Sequence, residues 1–314
     1  MRTLAARWRI DLPADGLRRF ESGSLPVFPL GPGHVVKLFP DWEREYAATE
    51  SRVLRAVDGR LPMATPRVLA LDAVQVPGAA AGEGGPRAEP VGVIALLMSR
   101  IAGEPLTSAW PCLAAADRGR IAAQLGEGVR ALHALDTAPL ADLPPSWPAF
   151  AAAQRASATE RQVARGLAPA WCERIEPFLE RWLPPGASQP PRLSLLHTEL
   201  MRDHVFVAED AAGWQLAGLI DFEPAMVGAP EYEFASAGLF VAEGDAAFLR
   251  ALLQAYGCDR AELGPALSCR LMGWTLLHRY SNLPWYLRRL PLPGATTLEQ
   301  LAGHWFGVAA PDGG

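Results

Sequence analysis

Hydrophobic periodicity changes character once along this chain, near Arg100, and that change constrains the fold more than any single motif. Before it, apolar residues come in short runs bounded by turn residues. Ser24–Pro29 leads through Gly31 and Gly33 into His34-Val35-Val36-Lys37-Leu38-Phe39, which predicts two strands about a turn. Residues 41–57 switch to three- and four-residue steps (Tyr46, Ala47, Val53, Leu54, Val57), a helix with Asp41 as its N-cap. Arg67–Leu71 is extended after Pro66, residues 77–90 read as a flexible hairpin tip, and Val91–Met98 is an apolar strand. From Asp117 onward helical patterns dominate, at 117–135, 147–166, 169–182, 230–241, 245–256 and 262–280. One island of strand interrupts them at 193–221, made of Leu193–Leu196, His204–Val207 and Gln215–Ile220. The expectation is an α+β chain of two lobes: a small β-rich lobe over 1–98, a hinge at 99–104, and a larger, mainly helical lobe over 105–314.

Composition narrows the function classes. Half of the 314 residues are apolar and 20% are charged, enough for a sizeable core. A net charge of −5 leaves no basic footprint for nucleic acid or an anionic membrane. No apolar run reaches the roughly 18 residues of a membrane span, and Met1 to Arg19 has no signal-like apolar stretch. Cys112, Cys172, Cys258 and Cys269 form no C-x-x-C pair, which suits a reduced cytoplasm, and the expected location is cytoplasmic. Of the 29 Lys and Arg residues, only Lys37 is a lysine. In a chain that writes Arg wherever a positive charge suffices, a lone lysine marks chemistry that Arg cannot do.

Two segments concentrate polar chemistry. Leu195-Leu196-His197-Thr198-Glu199-Leu200-Met201-Arg202-Asp203-His204 places His, Glu, Asp and His between apolar runs, and Ile220-Asp221-Phe222-Glu223 puts acids at the end of a hydrophobic strand. Carboxylates at the ends of adjacent buried strands can converge on a divalent cation. The His197-x-Glu199 pair also occurs in zinc deaminases, but those need a downstream P-C-x-x-C, which is absent here. Glu50 lies on the inward stripe of the 41–57 helix, where a carboxylate wants a cation; Lys37 is on the preceding strand, with Glu43 and Glu45 as alternative partners.

Together these segments resemble the aminoglycoside phosphotransferase family, which has a protein-kinase-like fold. The likeness is carried in order by Val35-Val36-Lys37, Glu50, Leu132-His133-Ala134-Leu135, His197–His204, Ile220-Asp221-Phe222 and Gly228-Ala229-Pro230-Glu231-Tyr232-Glu233. Within the family the chain looks most similar to hygromycin B phosphotransferases, through its K-L-F strand and the hinge Leu97-Met98-Ser99-Arg100. The resemblance implies that Lys37 holds the phosphates of ATP or GTP and that Glu50 orients it. It implies Ser22-Gly23-Ser24 as the loop over the phosphates and Ser99–Ile101 as the adenine-facing hinge. His197, Glu199 and Asp221 become the catalytic set, with Mg²⁺ on Asp221 and with His204 or Glu223 as further ligands. The family's loop usually reads H-G-D-L-x-x-x-N; here Thr198 stands for Gly, Glu199 for the catalytic Asp and His204 for the Mg-binding Asn. Glu233 stands where the family has an Asp that ties the following helix to that loop. Acceptor contacts are expected from Glu231, Trp274, His278 and Tyr280, suited to a small hydroxylated molecule such as an aminoglycoside-like antibiotic or a sugar or amino-alcohol metabolite. The implied protein is a small-molecule kinase, monomeric or homodimeric; the alternative is a pseudo-kinase that binds nucleotide or metabolite without phosphoryl transfer.

Overall fold

A computed structural model describes residues 2–12, 16–21, 23–76 and 89–308. Ser22 and most of the expected hairpin tip, 77–88, lie outside the described residues. The chain divides into two compact units, one holding residues up to Ala102 together with Gly218–Pro224, the other Gly103–Ala217 and the chain from Ala225. The break at Ala102 lies inside the segment expected as a hinge. Residues 218–224 group with the first unit rather than with the 105–314 lobe expected from the sequence.

The first unit is a four-stranded antiparallel sheet with two helices. Helix α1 (Arg2–Trp8) precedes β1 (Val27–Leu30) and β2 (His34–Pro40); α2 (Arg44–Val57) leads to β3 (Val68–Val76) and β4 (Val91–Ser99), and the sheet order is β1-β2-β4-β3. Alternation along β2 sets the two faces. Val36 joins Leu4, Leu30, Ala95 and Leu97 in one core, against which Trp8 and Val74 pack. Lys37 and Phe39 point the other way, toward α2, whose Ala47, Val53, Leu54 and Val57 are fully buried. Asp41 is not the N-cap of α2. It opens a 3₁₀ turn (Asp41–Glu43) and pairs with Arg44, so the helix begins three residues later than the sequence pattern predicts. Tyr46, counted in the apolar stripe, is 43% exposed. Gly218 enters this unit because a side chain there would sit 2.8 Å from the Ala64 carbonyl oxygen, while Leu219 N donates to that same oxygen at 2.9 Å.

The second unit opens with β5 (Glu104–Pro105), α3 (Leu106–Ala109) and the long α4 (Ala115–Ala134). The pattern over 147–166 resolves into α5 (Trp147–Ala156) and α6 (Ala158–Ala164), broken at Ser157, whose hydroxyl donates back to the Ala153 carbonyl at 2.8 Å. Helix α7 (Pro169–Trp182) leads to β6 (Ser194–Leu196), the hairpin β7 (Val205–Asp210) and β8 (Gly213–Leu219), and β9 (Met226–Gly228). Strand β9 pairs with β6 through Leu196↔Met226 and escaped sequence reading because three residues carry no periodicity. The pattern over 230–241 becomes a 3₁₀ turn, the short α8 (Glu233–Ser236) and a π-helical stretch, Ala237–Ala242. Helices α9 (Ala246–Tyr256), α10 (Pro265–Leu277), α11 (Leu283–Arg289) and α12 (Leu298–Phe306) complete it. Helices α4 and α9 cross closely at Gly126, where a Cβ would lie 2.1 Å from the Leu252 carbonyl oxygen. Trp147, Phe150, Tyr232 and Trp274 form an aromatic core with ring centroids 5.5 to 5.9 Å apart. Among the described residues no helix is long and apolar enough to cross a membrane.

Candidate active site

In the first unit the lone lysine is enclosed by acids. Lys37 Nζ lies 3.0 Å from Glu50 Oε2 and 2.6 Å from Glu223 Oε2, and donates a hydrogen bond to Asp221 Oδ1. Lys37 is 6% exposed and Glu50 1%, so this pair sits away from bulk water, while Asp221 and Glu223 are partly exposed. Burial alone would lower the Lys37 ammonium, but Glu50, Asp221 and Glu223 together hold it well above its ordinary value. Burial pushes the Glu50 carboxyl up to about 7 against the pull of Lys37, and pushes Glu223 up with Asp221 adding to it. Of the partners open at the sequence level, Glu50 is the one in contact, whereas Glu45 is exposed.

One ammonium cannot balance three carboxylates. Glu50, Asp221 and Glu223 each offer an oxygen within 4.8 Å of the others, and buried Glu50 Oε2 and Glu223 Oε2 accept no well-formed hydrogen bond; both face the Lys37 ammonium, with Asp221 adding like charge. An all-oxygen donor set with excess negative charge fits a hard divalent cation such as Mg²⁺. Asp221 holds a left-handed backbone, φ 71°, which Asp tolerates better than most residues, and Phe222, fully buried, anchors the turn. The other nucleotide-facing expectations divide between exposed and buried positions. Gly23 and Ser24 are exposed before β1, with the Gly23 carbonyl accepting from Arg19 at 2.7 Å. The Ser99 and Arg100 N–H groups are already bonded to the Arg67 and Gly33 carbonyls at 2.9 Å, which leaves buried Ile101 as the residue of the hinge outside those bonds.

In the second unit the His197–His204 loop follows β6. His197 N donates to Glu233 Oε2 at 2.6 Å and Thr198 N to Glu233 Oε1 at 2.9 Å. His133 Nε2, from the last turn of α4, stands 3.5 Å from Glu233 Oε2, and its Nδ1 meets the Tyr256 hydroxyl at 3.0 Å. Burial alone would raise Glu233, yet His133 and the His197 amide outweigh it and hold the carboxyl below the usual range. Glu199 N donates to His197 Nδ1 at 3.3 Å, and His204 Nδ1–H donates to the Glu199 carbonyl at 2.9 Å, which closes the loop. Thr198 adopts φ 70°. For a β-branched residue that conformation is a true outlier and costs about 1–3 kcal/mol.

Glu233 therefore carries a stability prediction. Its folded pKa lies below its unfolded one, so its contribution is complete above the ordinary glutamate range and fades as the pH falls through the folded value. Glu233→Gln is expected to lose about 3 kcal/mol near neutrality. Chemical denaturation should show that gap closing below about pH 4.5.

Of the four expected acceptor contacts, Trp274 and His278 are buried and Glu231 is engaged by neighbours. Trp274 is 1% exposed in the aromatic core and donates through Nε1 to Glu231 Oε2 at 2.8 Å. Glu231 is taken up further by Arg270, Nε at 2.9 Å and Nη2 at 2.8 Å. His278 is 2% exposed, with Nε2 bonded to the Thr198 carbonyl at 3.0 Å and its ring stacked on Tyr232. Of these four, Tyr280, 45% exposed, presents its ring to solvent. His133 belongs to the Leu132–Leu135 motif and His278 to the expected acceptor contacts, yet their service to the loop is visible only in three dimensions.

A small antiparallel sheet whose buried lysine meets a helix glutamate, and a mainly helical unit whose acidic loop follows a short strand, are the parts of a protein-kinase-like fold. The chain belongs to the phosphotransferase enzyme family, whose sequence model matches residues 16–266. No curated protein matches it significantly. Solved structures similar to it include the GDP complex of wild-type aminoglycoside 2'-phosphotransferase-IIIa, at 15% identity, 95% coverage of each chain and TM-score 0.67. The streptomycin–ATP ternary complex of APH(2")-IIa is similar at 16% identity, 97% coverage of each chain and TM-score 0.59. Macrolide 2'-phosphotransferase MphH from Brachybacterium faecium is similar at 22% identity, 96% coverage of each chain and TM-score 0.58. At these identities the structures establish the fold, and the family match establishes the phosphotransferase class.

Proposed function

We propose that this chain transfers the terminal phosphoryl group of a nucleoside triphosphate, ATP or GTP, to a hydroxyl of a small molecule such as an aminoglycoside-like antibiotic or a sugar or amino-alcohol metabolite. The observation that carries this reading is the buried Lys37–Glu50 pair with Asp221 on the same ammonium, in a chain of the phosphotransferase family. Lys37 holds the nucleotide phosphates and Glu50 fixes the direction of its ammonium. Asp221 and Glu223 would hold Mg²⁺, which when bound supplies neutralising charge for the phosphates. His204, the further ligand expected beside them, closes the loop on the Glu199 carbonyl through Nδ1. Glu199 orients the acceptor hydroxyl and takes its proton; Glu233 and His197 keep the loop in shape. The solved relatives include complexes with kanamycin, streptomycin and gentamicin, and a macrolide phosphotransferase, which makes hydroxylated antibiotics the first acceptors to try.

The test is nucleotide consumption with Mg²⁺ across aminoglycosides, macrolides, sugars and amino alcohols. One acceptor class is expected to raise consumption well above the background hydrolysis, with a phosphorylated product detected by mass spectrometry. Tight nucleotide binding with no turnover on any acceptor would replace this reading with the pseudo-kinase.

A further inference from the structure

We propose that His278 is a positioning residue that holds the His197–His204 loop in its working shape by clamping the peptide between Thr198 and Glu199; this rests on the assignment of Glu199 as the base. Thr198 immediately precedes Glu199, so its backbone angles decide where the Glu199 side chain starts. A threonine at φ 70° persists only where its surroundings over-determine it. Here the two peptide planes flanking its Cα are each held by a separate group. Thr198 N–H, on one plane, donates to Glu233 Oε1 at 2.9 Å. The Thr198 carbonyl, on the other, accepts from His278 Nε2 at 3.0 Å. Leaving the left-handed basin would turn at least one plane away from its partner.

The histidine is itself fixed. Its Nδ1 accepts from Tyr280 N at 3.3 Å, so Nε2 carries the proton that the Thr198 carbonyl needs. Burial lowers the ring's pKa to about 4, so it stays neutral through the physiological range. It stacks on Tyr232 at 5.0 Å with planes 16° apart, and the Tyr232 hydroxyl accepts from Arg279 N at 3.0 Å. Arg161 donates to the His278 carbonyl at 2.9 Å and to the Leu276 carbonyl at 3.2 Å, which fastens the C-terminal end of α10. The clamp thus joins that helix end to the loop bearing Glu199. Glycine at position 198 would occupy the same basin without steric opposition and would need no such clamp.

Four variants decide this: His278→Leu, His278→Gln, Thr198→Gly and the Thr198→Gly/His278→Leu double. Each is measured by hydrogen exchange of the peptide spanning 197–204 and by steady-state turnover with Mg-nucleotide and the best acceptor. His278→Leu is expected to raise exchange in that peptide and lower kcat about tenfold, with the nucleotide KM changed less than about twofold. His278→Gln, which keeps an N–H donor, should recover most of both. In the double variant both readouts should return to those of Thr198→Gly alone, an interaction between neighbours that a generally weakened core would not show. Undiminished loss in the double variant, or unchanged loop exchange in His278→Leu, would overturn the clamp. Absence of wild-type turnover on every acceptor would instead remove the kinase reading, and the exchange data would still decide the clamp.

Discussion

A Lys37→Arg enzyme is expected to fold normally yet turn nucleotide over on the order of a hundredfold or more slowly than the wild type. The charge survives, so Glu50, Asp221 and Glu223 keep a cation and the melting temperature should fall by only a few degrees. The geometry does not survive. Three carboxylate oxygens surround a single ammonium, at 3.0 Å from Glu50 and 2.6 Å from Glu223, with 6% of the lysine exposed. A planar guanidinium carries its charge over a wider fork and cannot place it at one point among those acids. Phosphate oxygens would then meet a cation displaced by about 1 Å, a shift worth roughly a hundredfold in rate. Lys37→Met makes the contrast. It strands buried Glu50 without a counter-ion, a loss of about 3–5 kcal/mol, and lowers stability and activity together. Steady-state kinetics at saturating nucleotide, beside thermal melts, separate the two variants. Near-normal turnover in Lys37→Arg would show that the lone lysine reflects codon usage alone.

The fold was legible wherever a segment was long enough to repeat its period. Helix α7 occupies the residues its pattern predicts, 169–182, and β2 and β4 carry the apolar runs that announced them. Short elements gave no such signal. β5 has two residues and β9 three, and they are strands because β7 and β6 offer them hydrogen bonds. The stretch after Pro230 looked like one helix because its apolar spacing is nearly helical. Its backbone passes from 3₁₀ through α to π geometry, and Glu233, at the first of these junctions, accepts from the His197 and Thr198 amides.

The site was legible in its charges and opaque in its supports. Lys37, Glu50 and Asp221 stood out because an ionic group on an apolar strand or stripe needs a partner, and the three do meet. Trp274 and His278 read as ligand-facing because an aromatic residue near acids looks the same in sequence whether it lines a cleft or fills a core. Only burial separates the cases, and both are buried. Glu231 illustrates the same ambiguity, since its Arg270 partner lies 39 residues away, beyond any local pattern. The replacement of glycine by Thr198 was visible in the sequence; the left-handed backbone that makes it consequential was not.

Glu199→Gln is expected to lower phosphoryl transfer by roughly 10²–10⁴-fold while leaving nucleotide affinity and melting temperature near the wild-type values. Two bonds that tie this residue into its loop use its backbone: its N–H donates to His197 Nδ1 at 3.3 Å, and its carbonyl accepts from His204 at 2.9 Å. Glutamine keeps both and matches the side chain in size, so the change removes the carboxylate charge at constant volume. A nucleotide-binding titration beside product formation reads the two effects separately, and unimpaired transfer in Glu199→Gln would exclude this residue as the base. Glu199→Asp then asks whether the loop has adapted to the longer acid. Shortening the side chain by one methylene withdraws the carboxylate by about 1 Å, enough to cost up to a hundredfold where the reacting atoms are already aligned. A slower Asp enzyme therefore means that the strained Thr198 and its two clamps have set the backbone back to suit glutamate. An Asp enzyme that matches or exceeds the wild type means that the loop still holds the geometry of the shorter acid, with the glutamate reaching past its ideal position.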